Sequence, residues 1–182
     1  MISSLYLQDK NICSVMKEDI ALDYPVLEAE TLSDYEIERG KPMPNRVHAI
    51  TQTDLAFYLK AHYGKKFDIA TELSFDLPDK PATPDVVIME KKPVDYFDIS
   101  PRETDPPLVA IEIISPSQGF GVFKEKAERY FAFGVRSYWL VEPHFRTVYV
   151  FSSPRAYTTF IHSDVLSDPA VGVEMPLSEL FV

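Results

Sequence analysis

Leu108-Val109-Ala110-Ile111-Glu112-Ile113-Ile114 is a run of seven residues, six of them apolar. Apolar side chains on both alternating faces describe a strand that is covered on both sides. Glu112 within it must find a partner, bind a cation or change its protonation, because an unpaired buried charge is strongly unfavourable. A second β-branched run, Thr83-Pro84-Asp85-Val86-Val87-Ile88, carries Asp85 at its start. Two acids on core strands are the oxygen donors that a hard cation takes, which makes a metal-dependent enzyme the leading expectation. An aspartate that opens a strand is also an ordinary cap, so both readings stand for Asp85. Glu112 has no solvated-face alternative.

Outward from these two runs the chain alternates strands and helices. His48 to Tyr63 places Ile50, Leu55, Tyr58 and Leu59 at helical spacing, and Gly64 is well placed to end that helix. Phe67 to Leu77 alternates as a strand, and Pro78 to Pro84 turns into the Asp85 strand. Residues 91–107, with four prolines and four acids, read as a long surface loop. After the Glu112 strand, residues 115–121 form a turn-rich link to a helix over Val122–Phe133, stopped by Gly134. Tyr138–Glu142 and Thr147–Phe151 form a hairpin across Pro143–Arg146, and Tyr157–His162 adds a short strand. A terminal turn covers Leu177–Phe181. Upstream, Glu28–Asp34 is weakly helical, Tyr35–Arg39 alternates as a short strand, and Gly40–Asn45 breaks it. Residues 1–30 read as a lead-in to a single domain over 31–182.

Composition bounds the partners. The chain has 182 residues, 46% of them hydrophobic, which fills one core. No run approaches the ~18 apolar residues of a membrane span. The N-terminus shows no basic segment followed by an apolar core, and Cys13 is a lone cysteine, so a cytoplasmic protein without disulfide or thiolate cluster is expected. The net charge of −10 argues against non-specific coating of nucleic acid. Residues 1–40 hold nine acids and three bases, so most of the excess sits in that segment. Lys60/Lys65/Lys66, Lys91/Lys92 and Lys124/Lys126/Arg129 are small basic groups, either solvated faces or phosphate contacts.

At about 100° per residue, Phe123, Ala127, Tyr130 and Phe131 define the inward arc of the 122–133 helix. Lys126 falls about 60° from Phe123 and about 40° from Tyr130, inside that arc. Its ammonium either reaches back over the strand ends or snorkels past Tyr130 to water.

Asp85 in Pro-Asp-Val, Glu112 in Val-Ala-Ile-Glu-Ile-Ile-Ser-Pro-Ser, Lys126 four residues before Tyr130, Gly134-Val135 and Tyr138-Trp139-Leu140-Val141 together resemble the Uma2 (DUF820) family, assigned to the PD-(D/E)XK nuclease superfamily. Tyr35-Glu36-Ile37-Glu38-Arg39-Gly40 and His48 extend the similarity upstream, so that it runs from about residue 31 to the C-terminus. The resemblance implies an α/β domain of restriction-endonuclease type, a central mixed sheet flanked by helices. It implies that Asp85, Glu112 and Glu36 hold Mg²⁺, or Mn²⁺, and that Glu36, Asp85, Glu112 and Lys126 form the catalytic set. His48 is implied as a phosphate contact or a partner to the metal-binding acids; alone, a histidine at a helix start is a capping or packing residue. Two positions differ from the family pattern. Ile114 stands where the superfamily signature has its lysine, a role that the resemblance moves to Lys126. Val122 stands where many relatives carry aspartate.

Phosphodiester hydrolysis needs an activated water, neutralised phosphate charge and a stabilised leaving oxygen, and carboxylate-held Mg²⁺ with a nearby ammonium suits that demand. Three clustered carboxylates would repel one another until a cation arrives. The expected function is therefore Mg²⁺-dependent endonucleolytic cleavage of DNA by a homodimer. The Trp139–Phe151 hairpin or the N-terminal segment would supply the dimer contact. One alternative is a catalytically weak nuclease-fold protein with a regulatory or assembly role. Another is a small-molecule hydrolase with Asp85 and Glu112 as acid and base. His62, His144 and His162 have no zinc-like spacing, and Ser115 and Ser117 read as turn residues.

Overall fold

The computed structural model describes residues 44–115 and 120–182. The expected strand at Tyr35–Arg39, the boundary near residue 30, Glu36 and Ser117 lie outside the described residues.

Helix α1 (Arg46–Tyr63) begins at Asn45, whose side chain accepts from the His48 N–H. This satisfies one of the donors that every helix start leaves open. Strands β1 (Phe67–Thr71), β2 (Val86–Glu90) and β3 (Val109–Ile113) follow, then α2 (Phe120–Phe133), β4 (Ser137–Glu142), β5 (Thr147–Ser153) and β6 (Ala156–Ile161). They form one six-stranded sheet in the order β1-β2-β3-β4-β5-β6. Every neighbouring pair is antiparallel except β3 and β4, which run parallel. A parallel pair needs a crossover, and α2 is that crossover. A separate hairpin of β7 (Val165–Asp168) and β8 (Val173–Pro176) leads into the single turn α3 (Leu177–Leu180). The mixed α/β architecture expected from the sequence is the one observed.

Alternation along the central strands divides the core between the two sheet faces. Val86, Ile88, Ile111, Ile113, Trp139 and Val141 pack with Leu55 and Leu59 of α1 and with Leu166, Met175 and Leu177. Val87, Ala110, Ile114, Tyr138 and Leu140 pack with Phe123, Ala127 and Tyr130 of α2. All of β3 is buried, as its unbroken apolar run requires.

Gly134 ends α2 with φ +111°, and its N–H and that of Val135 close back onto the Tyr130 and Phe131 carbonyls. Glycine adopts this backbone without the steric penalty of a Cβ. The chain can then return at once to enter β4 beside β3.

Two elements differ from expectation. The strand from Phe67 ends at Thr71 rather than Leu77, because Glu72 takes a left-handed conformation with φ +54° and turns the chain out of the ladder. Phe75 then keeps isolated bridges to Ala82 and Glu103. The β7–β8 hairpin was not anticipated; its short strands lie around a turn at Gly172, φ +66°. Trp139 is fully buried in the protein's own core, and the hairpin that carries it exposes Phe145 at its turn. The 91–107 loop exposes Tyr96, Phe97 and Ile99. Among the described residues no helix is long and apolar enough to cross a membrane.

Candidate active site

The two acids meet where β2 begins and β3 ends. The β2–β3 ladder pairs Val86 with Ile111, which brings Asp85 alongside the Glu112 end of β3. Asp85 N–H donates to the Ile111 carbonyl at 3.0 Å, and Asp85 Oδ2 accepts from the Ile113 N–H at 2.7 Å. One carboxylate is thus tied to the peptide that immediately follows the other. Alternation turns Asp85 with Val87, and Glu112 with Ala110 and Ile114, toward the α2 face. Both are buried, 2% and 3% exposed.

Lys126 comes down from α2 onto this pair. Its Nζ donates to Glu112 Oε2 at 2.7 Å, and its side chain is 17% exposed. The inward position that the helical arc allowed is the one occupied, and the ammonium also lies 5.8 Å from the centre of the Phe123 ring. Four residues on, Tyr130 Oη donates to Glu112 Oε1 at 2.6 Å. Positions four apart share a helix face, so the lysine and the phenol arrive together. Both Glu112 oxygens are therefore engaged by charge-assisted bonds, the strong class of hydrogen bond. This corrects the expectation of unrelieved repulsion at Glu112: the cation that relieves its burial is the protein's own. Ile114, at the signature's lysine position, packs in the apolar cluster under α2, while Val122 is half exposed.

His48, the third residue of α1, approaches from the other side. Its Nε2 lies 3.5 Å from Asp85 Oδ1, and Nδ1 is 3.3 Å from Ser115 Oγ. With Ser115 donating to Nδ1, the tautomer carries its proton on Nε2, facing Asp85. Ser115 is buried here.

Residues unmarked in the sequence complete the surroundings. Gln52 Nε2 donates to the Asp85 carbonyl at 2.8 Å and to Glu72 Oε1 at 3.1 Å, while the Glu72 N–H donates to the same carbonyl at 3.2 Å. The left-handed turn at Glu72 so brings its amide and side chain to the backbone of Asp85. Tyr138 on β4 stacks its ring 5.5 Å from Tyr130. Of these, Tyr130 and Tyr138 had a signal, the helical repeat from Lys126 and the apolar β4 run; Gln52 and Glu72 had none.

Among the described residues no group of three or more His, Cys, Asp or Glu side chains comes together that could hold a metal ion. Asp85 and Glu112 nevertheless place two carboxylates, both engaged by protein groups, at the adjoining ends of β2 and β3 as hard oxygen donors. That suits Mg²⁺, which is commonly bound through one or two carboxylates while it keeps several of its own waters. The chemistry of this donor set fits the ion, with Glu36, the expected third ligand, outside the described residues.

The sequence matches the Uma2 family model, described as "Putative restriction endonuclease", over residues 22–178. The chain belongs to the Uma2 family. Its fold is similar to that in a crystal structure titled as "a putative nuclease belonging to DUF820 from Anabaena variabilis ATCC 29413", with a TM-score of 0.67, 20% identity, and coverage of 77% of this chain and 83% of that one. At that identity the likeness is one of fold. No curated protein matches the sequence. For this Uma2 chain the residue set that carried the resemblance, Asp85, Glu112, Lys126 and His48, converges in space.

The electrostatics make a prediction. Burial, followed by the Glu112 charge and the bond to Glu112, pushes the Tyr130 phenol well above its usual range; burial and the charges of Glu112 and Asp85 do the same for Tyr138. A raised folded-state value means that the stability these groups carry is complete below the unfolded tyrosine pKa of about 10 and is lost as pH rises toward the folded values. In an alkaline titration followed by phenolate absorbance, at least two tyrosines should stay silent until the protein unfolds. Ionisation of every tyrosine in the folded protein would contradict this.

Proposed function

We propose that this Uma2 protein is an endonuclease that hydrolyses phosphodiester bonds in DNA, dependent on Mg²⁺ or Mn²⁺ and acting in the cytosol. The observation that carries the reading is the buried Asp85–Glu112 carboxylate pair faced by the Lys126 ammonium. When bound, a divalent cation neutralises phosphate charge and lowers the pKa of water. Asp85 and Glu112 would hold it, with Glu36 as the third ligand. The Ile113 N–H bond keeps Asp85 turned toward the site. Lys126, the most exposed of the described site residues, would donate its ammonium to a phosphate oxygen and stabilise charge developing on phosphorus. His48 presents Nε2–H on the opposite side, where it can donate to a phosphate oxygen. Family membership supports phosphodiester chemistry over a small-molecule hydrolase.

The second reading, a nuclease fold with a regulatory or assembly role, draws on one feature: Lys126 already neutralises Glu112, so the fold is satisfied without a cation. Surface bases are similarly committed, Lys91 to Asp68, Lys92 to Asp105 and Arg129 to Asp79.

Glu112→Gln retains size and an acceptor for Tyr130 and removes the charge. It should abolish Mg²⁺-dependent cleavage of duplex DNA while circular dichroism and the unfolding midpoint stay near wild type. Retained cleavage contradicts the reading; loss of the fold assigns Glu112 to structure. Lys126→Met should lower kcat by about 10²–10³-fold, the usual effect of losing one electrostatic donor.

A homodimer is part of the same proposal, since duplex cleavage needs two sites and a two-fold axis supplies them. With Trp139 internal, exposed apolar side chains at Phe145 and along the 91–107 loop are the described surfaces open to contact. Light scattering at micromolar concentration should report twice the chain mass, and a monomer there would rule the dimer out.

A further inference from the structure

Tyr138 is the second residue of β4 and is completely buried. Its ring lies between Tyr130, at 5.5 Å, and Phe151, at 5.4 Å. Tyr130 spends its hydroxyl on Glu112, whereas the buried Tyr138 hydroxyl has no hydrogen-bond partner among the described residues. Such groups are rare in folded proteins, because a donor taken from water and left unsatisfied destabilises the fold. Phenylalanine would fill the same space without that penalty, so packing does not account for the oxygen.

The register places Tyr138 on the face that carries both acids. Tyr138 pairs with Ala110 on β3, and Ala110 with Val87 on β2, all on the α2 face. Two residues further along those same strands and the same face stand Glu112 and Asp85. Ala110, between Tyr138 and Val87 in the register, contributes only a methyl group to this face. After burial, the Glu112 and Asp85 charges raise the pKa of this phenol, as neighbours on one face would. A hydroxyl, unlike the Lys126 ammonium, both donates and accepts, as a group that holds a water by both its hydrogen and its lone pair must.

We propose that Tyr138 is a positioning residue for the hydrolytic water: its hydroxyl anchors that water against Asp85 and Glu112. The inference rests on the nuclease reading and adds a residue to it. No bond is made or broken at Tyr138. Its role is to restrict the orientation of the attacking oxygen, and misplacement of a reacting atom by about 1 Å is enough to cost about 100-fold in rate.

Tyr138→Phe is the test, measured beside wild type and Asp85→Asn with three readouts. These are the unfolding midpoint without divalent ions, the rise in that midpoint on adding Mn²⁺, and kcat and KM for duplex DNA with Mg²⁺. Tyr138→Phe should unfold at or above the wild-type midpoint and keep the Mn²⁺-induced rise, which Asp85→Asn loses. Its kcat should fall by about 10–100-fold with KM changed by less than about twofold. If wild type cleaves and Tyr138→Phe has unchanged kcat, the proposal for Tyr138 is overturned and the nuclease reading survives. If Tyr138→Phe unfolds below wild type and the lower stability accounts for its lost activity, the hydroxyl belongs to the fold and the proposal is likewise overturned. A wild type that shows the Mn²⁺-induced rise but no cleavage overturns the nuclease reading, and the role of Tyr138 falls with it.

Discussion

Glu112 cannot occupy the middle strand of a covered sheet unless something meets its charge, and the Lys126 and Tyr130 bonds at 2.7 and 2.6 Å do so. Leaving the Glu112 carboxylate buried without a partner would typically cost about 3–5 kcal/mol, so this contact constrains the whole α2 side. The helix must cross from β3 to β4 with one face, Phe123, Lys126, Ala127 and Tyr130, turned to the sheet. Gly134 must release the chain at the right turn for β4 to run parallel beside β3. The packing of the crossover helix and the assembly of the site are one geometric requirement. A helix rotated by a single residue would lose both.

That coupling shapes how the site can work. A fully enclosed ion pair would be inert, but Lys126 keeps its side chain 17% exposed while Glu112 keeps 3%. The lysine is therefore the more accessible partner, and under the proposed function it is the group an incoming phosphate would meet. Asp85 is held differently, by the Ile113 peptide and by His48, and its backbone carbonyl is gripped by Gln52 and Glu72. One acid is anchored through the backbone; the other is balanced by a side chain. Under the same proposal, a protein of net charge −10 would keep the positive charge that a phosphate needs inside the site.

Much of this was legible in the chain because it rests on local pattern. The Leu108–Ile114 run declared a strand covered on both faces and made Glu112 conspicuous, and helical periodicity put Lys126 on the inward arc before any contact was known. The contacts that escaped detection are those without a local signature. His48 and Ser115 are 67 residues apart and meet only because α1 folds across the sheet ends. Glu72 looked like one more polar position of an alternating strand, and nothing in its type announces φ +54°. Tyr138 opened an apolar strand without any sign of a role for its hydroxyl, which has no hydrogen-bond partner among the described residues. The β7–β8 hairpin went unread because four-residue strands are too short for a period to register.

The central claim is that Asp85 and Glu112 form a cation-binding pair on the α2 face. Electron paramagnetic resonance of Mn²⁺ titrated into the folded protein tests it most directly, with wild type compared against Asp85→Asn of equal stability. The account predicts saturable loss of the free-ion signal in wild type, competed by Mg²⁺, and little or none in Asp85→Asn. Equal Mn²⁺ binding by the two proteins, or none by wild type, would contradict it.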